Sequence, residues 1–203
     1  MNVQEFTQAF GERTCFTSRD AYLRFPELDG RQFRRWQASG WVKQLRKPYY
    51  RIAFRTWTVY ERWAAANAVY APSYVSLETA LGHYGFIPEG VFQITSITTR
   101  HTRSFEIDGM RHSYRNVLPA WFFGYTLLEQ GQVVVRMAGP EKCLLDVLHF
   151  NRDLRGPADF EAMRFDRIGI CEAIDPAVWQ GHLSLSTNQA LHRRARAFQR
   201  WLQ

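Results

Sequence analysis

Few side chains in this 203-residue sequence stand at spacings that suit chemistry. His83, His101, His112, His149, His182 and His192 include no pair four apart, the spacing at which two histidines share a metal on one helix face. Cys143 with His149 would be a thiol beside a base. Cys143, however, falls in the apolar run 143–150, where an inert buried thiol is expected. There is no GxxxxGK[ST], GxGxxG or GxSxG, hence no phosphate-cradling loop and no nucleophile elbow. Glu141 and Asp146 lie too far round a helix to act as a carboxylate pair. Lys142 and Asp146, four apart, are expected as a surface ion pair worth about a few tenths of a kcal/mol. Cys15, Cys143 and Cys171 are too few and too scattered for a disulfide framework or a zinc site. These observations predict no catalytic residue, no metal and no cofactor. They also predict reduced thiols in a cytoplasmic protein, since MNVQEFTQAF has neither the basic nor the apolar region of a secretory signal.

The chemistry the sequence does offer is electrostatic. Net charge is +7, which asks for an anionic partner. The charge is unevenly placed: residues 1–60 hold eleven Lys/Arg against five Asp/Glu, and residues 61–203 hold fifteen against fourteen. Arg31, Arg34, Arg35, Lys43, Arg46, Lys47, Arg51 and Arg55 face a single acid, Asp29, between residues 28 and 55. Such a cluster attracts phosphate, because each neutralised phosphate releases condensed counterions.

The elements that must position this charge can be read from caps and periodicity. Residues 2–10 suggest a short helix. Thr17 or Ser18 can cap a second over 18–25, stopped by Pro26. Asp29 caps a third over 30–39, with Phe33 and Trp36 on one face, Arg31, Arg34 and Arg35 on another, and Gly40 as its left-handed C-cap. Two short β-runs, 41–46 and 49–53, then form a basic hairpin around Lys47-Pro48. Helix, helix–turn–helix and hairpin in this order predict a winged helix-turn-helix, a fold that places its second motif helix in the major groove. Further on, a helix is expected from about residue 59 and another capped by Ser76 and ended by Gly85. Residues 91–99 and 132–138 are expected as strands, and Asp108-Gly109 as a hairpin turn between 103–107 and 110–117. A nearly all-apolar helix opening at Pro140 should be central to the core. A tail helix from Ser186 carries Leu191, Ala195, Phe198 and Leu202 on one face and Arg193, Arg194, Arg196 and Arg200 on another, expected to be solvated. No stretch of ~18 apolar residues exists, so no membrane partner is expected.

Several blocks resemble the AbiEi family of bacterial abortive-infection antitoxins. They are Tyr74-Val75-Ser76-Leu77-Glu78-Thr79-Ala80-Leu81, Tyr84-Gly85-Phe86-Ile87-Pro88-Glu89, Thr98-Thr99-Arg100, Arg103-Ser104-Phe105, Tyr114-Arg115 and Phe123-Gly124-Tyr125. The last and most specific is Ala138-Gly139-Pro140-Glu141-Lys142-Cys143-Leu144-Leu145-Asp146, where the family pattern is close to A-x-PEKALLD. With the basic N-terminal module the resemblance covers about residues 1–150. It departs at Lys47-Pro48, where the family often has Gly after a basic residue, and at Cys143, where Ala is common. The resemblance implies a winged helix that binds inverted repeats in its own promoter. It also implies a C-terminal domain that neutralises a nucleotidyltransferase-like toxin of a type IV toxin–antitoxin system, with or without a stable complex. Thr99, Arg100, Arg103, Glu141 and Lys142 are the polar residues it offers for antitoxin function.

The sequence thus predicts an α+β protein. Residues 1–58 form a winged helix-turn-helix that contacts DNA through Arg31, Gln32, Arg34, Arg35, Lys43, Arg46, Lys47 and Arg51. Residues 59–203 form a mixed α/β antitoxin domain with a helical tail. Its partners are expected to be promoter DNA and a cognate toxin. The alternatives are a nucleic-acid-processing enzyme and an orphan DNA-binding regulator.

Overall fold

The computed structural model describes residues 2–203. In chain order the elements are α1 (Val3–Phe10), β1 (Phe16–Thr17), α2 (Ser18–Arg24), α3 (Gly30–Ala38), β2 (Val42–Arg46), β3 (Tyr49–Ile52), α4 (Val59–Val69), β4 (Ser73–Val75), α5 (Leu77–His83), β5 (Gln93–Thr98), β6 (Arg103–Ile107) and β7 (Met110–Asn116). A 3-10 turn at Pro119–Trp121 follows, then β8 (Tyr125–Gln130), β9 (Val133–Ala138), α6 (Pro140–Phe150), α7 (Pro157–Ala162), α8 (Arg167–Ala173), α9 (Pro176–Ser184) and α10 (Gln189–Leu202). The architecture is mixed α+β with two sheets. One is antiparallel with order β1-β3-β2, and the other mixed with order β6-β7-β5-β4-β9-β8.

The small sheet and α1–α3 close over an aromatic core. Phe6, Phe10, Phe16, Phe25, Phe33, Trp36 and Tyr50 are all buried there. Phe6 sits at its centre, 4.9 Å from the rings of both Phe10 and Trp36. Burying each such ring contributes about 1.5–3 kcal/mol, which lets a core this small hold three short helices.

The larger core lies between the six-stranded sheet and α5, α6 and α7–α10. The helix α6 is its axis: every residue from Glu141 to Leu148 is buried. In the sheet, β4 and β9 run parallel, as do β5 and β7, while β6–β7 is the hairpin whose turn is Asp108-Gly109. Both turn residues have positive φ, +54° and +76°, the geometry a tight two-residue turn demands. A third cluster (Leu45, Trp57, Ala65, Val69, Tyr70, Ile107 and Tyr114) fills the seam where the small sheet meets α4 and the β6–β7 hairpin. Among the described residues no helix is long and apolar enough to cross a membrane.

Three local expectations are corrected. Ser76 does not cap α5 through its side chain; its hydroxyl instead donates to Asp146 Oδ2 at 2.8 Å. The tail face is not wholly solvated, because Arg194 is buried against α6. The Lys142–Asp146 pair is not on the surface, since both side chains are fully buried.

Candidate nucleic-acid interface

The helix α3 divides cleanly between anchor and outward face. Asp29 caps it by accepting from the Gln32 amide at 2.7 Å, a bond that holds the Asp29 carboxyl below its usual range. Phe33 and Trp36 are buried, while Arg31, Arg34 and Arg35 are exposed and Gln32 is half-buried. None of the three arginines forms a salt bridge among the described residues. Gly40, at φ +76°, ends the helix and turns the chain into β2.

The hairpin is occupied differently. Lys47 is exposed at its tip, beside Pro48. Arg51 is buried, with Nη2 2.7 Å from Asp108 Oδ2 and its guanidinium 4.8 Å from the Trp57 ring centre. Lys43, itself exposed, pairs with the same carboxylate. Arg46 lies over the rings of Phe105 (4.3 Å) and Tyr70 (5.4 Å) and donates to the Val69 carbonyl at 3.1 Å. Arg55 pairs with the buried Glu61 and donates to the Gly11 carbonyl at 2.8 Å. Burial alone would push the Asp108 carboxyl up, but the Lys43 hydrogen bond and the Arg51 and Lys43 charges outweigh it and hold it below the ordinary value. Arg51 is buried and Arg46 half-buried, and both charges are engaged in the seam between the two sheets. Lys43 is exposed but shares Asp108, so its charge is partly spent inside the chain.

The residues assigned to antitoxin function fall in two places. At the end of β5 and the start of β6, Thr99 is half-buried and Arg100 and Arg103 are exposed. The Arg100 guanidinium sits 4.5 Å from the Tyr70 ring centre and donates to the Ala71 carbonyl at 3.3 Å. Glu141 and Lys142, in contrast, are in the first turn of α6 and buried. Glu141 Oε1 accepts from the Asp175 amide at 2.7 Å, tying α6 to the start of α9.

Lys142 belongs to a closed network that sequence reasoning missed. Asp146 Oδ2 accepts from Tyr74 at 3.0 Å and from Ser76 at 2.8 Å, and Oδ1 accepts from Trp121 Nε1 at 2.8 Å and from Lys142. The Lys142 ammonium is also enclosed by aromatic rings, 4.3 Å from Trp121, 5.0 Å from Phe123 and 5.6 Å from Tyr74. Gly124, at φ +70°, lets the chain pass this lysine: a Cβ there would sit 2.9 Å from the His182 ring and 3.0 Å from Lys142 Cγ. Burial pushes the lysine below its ordinary pKa, against the opposing pull of Asp146. Burial, then the Asp146 charge, pushes the Tyr74 hydroxyl well up. A serine, a lysine, a tyrosine and a carboxylate in contact could do acid–base chemistry, but Lys142, Asp146, Ser76 and Tyr74 have no exposed surface for a substrate to reach. The arrangement is a packing device. Among the described residues no group of three His, Cys, Asp or Glu side chains is placed to hold a metal ion.

The fold is similar to a solved structure, the RV2827C protein from Mycobacterium tuberculosis. The match has a TM-score of 0.62 and covers 95% of this chain and 73% of that one, at 15% sequence identity. Identity that low speaks to the fold alone. No protein-family model matches the sequence, and no curated protein matches it.

Proposed function

We propose that the chain is a DNA-binding autoregulator and an antitoxin of the AbiEi type. Residues 1–58 act as a winged helix-turn-helix and residues 59–203 as the antitoxin domain. The observation that carries the DNA reading is the outward face of α3. There Arg31, Arg34 and Arg35 are exposed and form no salt bridge among the described residues, on a helix fixed from behind by Phe33 and Trp36. Arginine reads guanine bidentately in the major groove, at about 1–3 kcal/mol of discrimination per good pair. Lys47 at the hairpin tip is placed to meet the phosphate backbone beside it. The antitoxin reading is supported by the AbiEi-like block Pro140–Asp146, which supplies the central helix of the larger core. It gives the exposed Arg100 and Arg103 the role of toxin-facing residues and the buried Glu141 and Lys142 the role of holding the domain together.

The test uses the full chain with Arg34→Ala and Arg35→Ala combined. Both residues are exposed, so the variant should fold. It should lose specific binding to its own promoter in a gel-shift titration and still rescue growth when co-expressed with the toxin encoded next to it. Unchanged promoter affinity would remove α3 from the interface. Loss of rescue by the folded variant would refute the division of labour between the two parts.

A further inference from the structure

The second half of the chain is nearly neutral by count, yet it concentrates four arginines in one place. Arg152 and Arg155, in the connection between α6 and α7, and Arg193 and Arg194, on α10, line a cleft of about 520 Å³ with Ala190. Arg194 is buried, and its Nε donates to the Leu148 carbonyl at 2.8 Å. That bond fixes the guanidinium while no carboxylate pairs with it among the described residues. Arg155 is braced in turn, with Nε donating to the Arg152 carbonyl at 3.1 Å. Two carboxylates are close in sequence. Asp153 is fully exposed and 3.6 Å from Arg155, whereas Asp159 accepts the backbone amides of Arg155 and Gly156. Burial, then the neighbouring charges of Arg152, Arg155 and Arg193, pushes Arg194 below its ordinary pKa. A buried guanidinium set among three like charges is electrostatically unfavourable, and an anion held among them relieves it.

We propose that this cleft is a second polynucleotide-binding site, which takes the phosphates of a nucleic-acid strand. The chemistry follows from the lining. Guanidinium forks match phosphate oxygens bidentately. Apart from Ala190 the lining is all arginine, with no aromatic ring on which a base could stack. With no ring to hold a base, the cleft is suited to the phosphate backbone. It is open to solvent, which suits a segment of a longer strand better than an enclosed mononucleotide. The site does not depend on α3, and its test is independent of the promoter reading.

The experiment measures anisotropy of labelled 20-nucleotide single strands and 20-base-pair duplexes of unrelated sequence across a salt series. The proteins are the full chain, Arg152→Gln/Arg193→Gln, and the equal-charge control Arg111→Gln/Arg136→Gln. All four substituted residues are exposed, and the buried Arg194 is kept, so the fold should survive, as a thermal melt will show. Removing two phosphate contacts should flatten the slope of log K against log salt by about 1.4 units on single strands or about 1.8 on duplex, with the control unchanged. Equal losses in variant and control would overturn the proposal in favour of diffuse charge. ATP binding that falls in the cleft variant while strand binding holds would also overturn it, since the ligand would then be a free nucleoside phosphate.

Discussion

Replacing Asp146 with asparagine keeps the side-chain shape and removes one charge from the most enclosed ion pair in the chain. In the native protein four donors converge on this carboxylate, from Tyr74, Ser76, Trp121 and Lys142. The amide can still accept from two or three of them, but its own NH2 group brings donors into a site already full of donors. The Lys142 ammonium, with no exposed surface, is then left without a counter-charge. Removing one partner of a buried pair costs about 3–5 kcal/mol, against about 0.3–0.5 for an exposed pair four apart on a helix. The expected loss is a large share of the roughly 5–15 kcal/mol that a domain has in total. At about 2–4 °C per kcal/mol for a chain of this size, the melting temperature should fall by about 10 °C. The cycle is completed with Lys142→Met alone and with Lys142→Met/Asp146→Asn. Methionine fills the aromatic enclosure without a charge, so the double variant should recover about 2 kcal/mol or more relative to Asp146→Asn. Urea unfolding followed by circular dichroism reads all four proteins. A loss below about 1 kcal/mol for Asp146→Asn, or strict additivity in the cycle, would refute the argument that the pair is buried and mutually dependent.

His112 is buried on β7, and burial, with the Arg62 charge, lowers its pKa from 6.5 to about 4. Because the unfolded chain takes up the proton first, this residue contributes no penalty above pH 6.5 and progressively destabilises the fold as pH falls from 6.5 towards 4. The full effect is about 3 kcal/mol at 1.36 kcal/mol per unit. His112→Phe should flatten urea-unfolding stability against pH across that window, and an unchanged pH profile would show that the acid sensitivity lies elsewhere. Asp108→Asn, which tolerates the turn's positive φ, should lower stability by about 2 kcal/mol by leaving buried Arg51 without its carboxylate. Lys43→Ala, at the exposed arm of the same cluster, should cost under about 1 kcal/mol, and equal losses for the two would contradict the assigned burial.

Local pattern explains what could be read before the fold was known. The helix α3 carries its own start, face and stop in Asp29, Phe33/Trp36 and Gly40, all within twelve residues. Asp108-Gly109 specifies its hairpin by backbone preference, and the helix α6 is marked by a proline start and a largely apolar run interrupted at Asp146. What stayed hidden depends on distant partners. Nothing beside Asp146 signals Tyr74, 72 positions away, or Trp121, 25 away, so a four-residue spacing was taken as a surface pair. The strand β8 escaped notice because it lies at a sheet edge with Leu127 exposed and lacks a clean apolar alternation. The short helices α7–α9 hold one or two buried residues each, which leaves too little periodicity to see.

Charge shows the same division between local and distant information most sharply. A count assigns nearly all the positive excess to residues 1–60, and so assigns nucleic-acid binding to them alone. Contact with phosphate, however, needs a cation that is both exposed and unpaired, and a count records neither property. In the folded chain Arg46, Arg51 and Arg55 are engaged internally, with Phe105, Asp108 and Glu61, and the strongly basic hairpin presents little beyond Lys47 and a partly committed Lys43. The second half has a net charge near zero, but its acids are dispersed while Arg152, Arg155, Arg193 and Arg194 share one cleft. At ordinary ionic strength charges more than about 8 Å apart in solvent are largely screened, so a phosphate responds to the arginines within that range and hardly to the total. The field that selects a partner is therefore set by which residues the fold leaves unpaired at the surface. By that criterion Arg31, Arg34 and Arg35 of α3 qualify, and so do Arg152 and Arg193 at the α10 cleft, where Arg194 is buried and Arg155 pairs with the exposed Asp153.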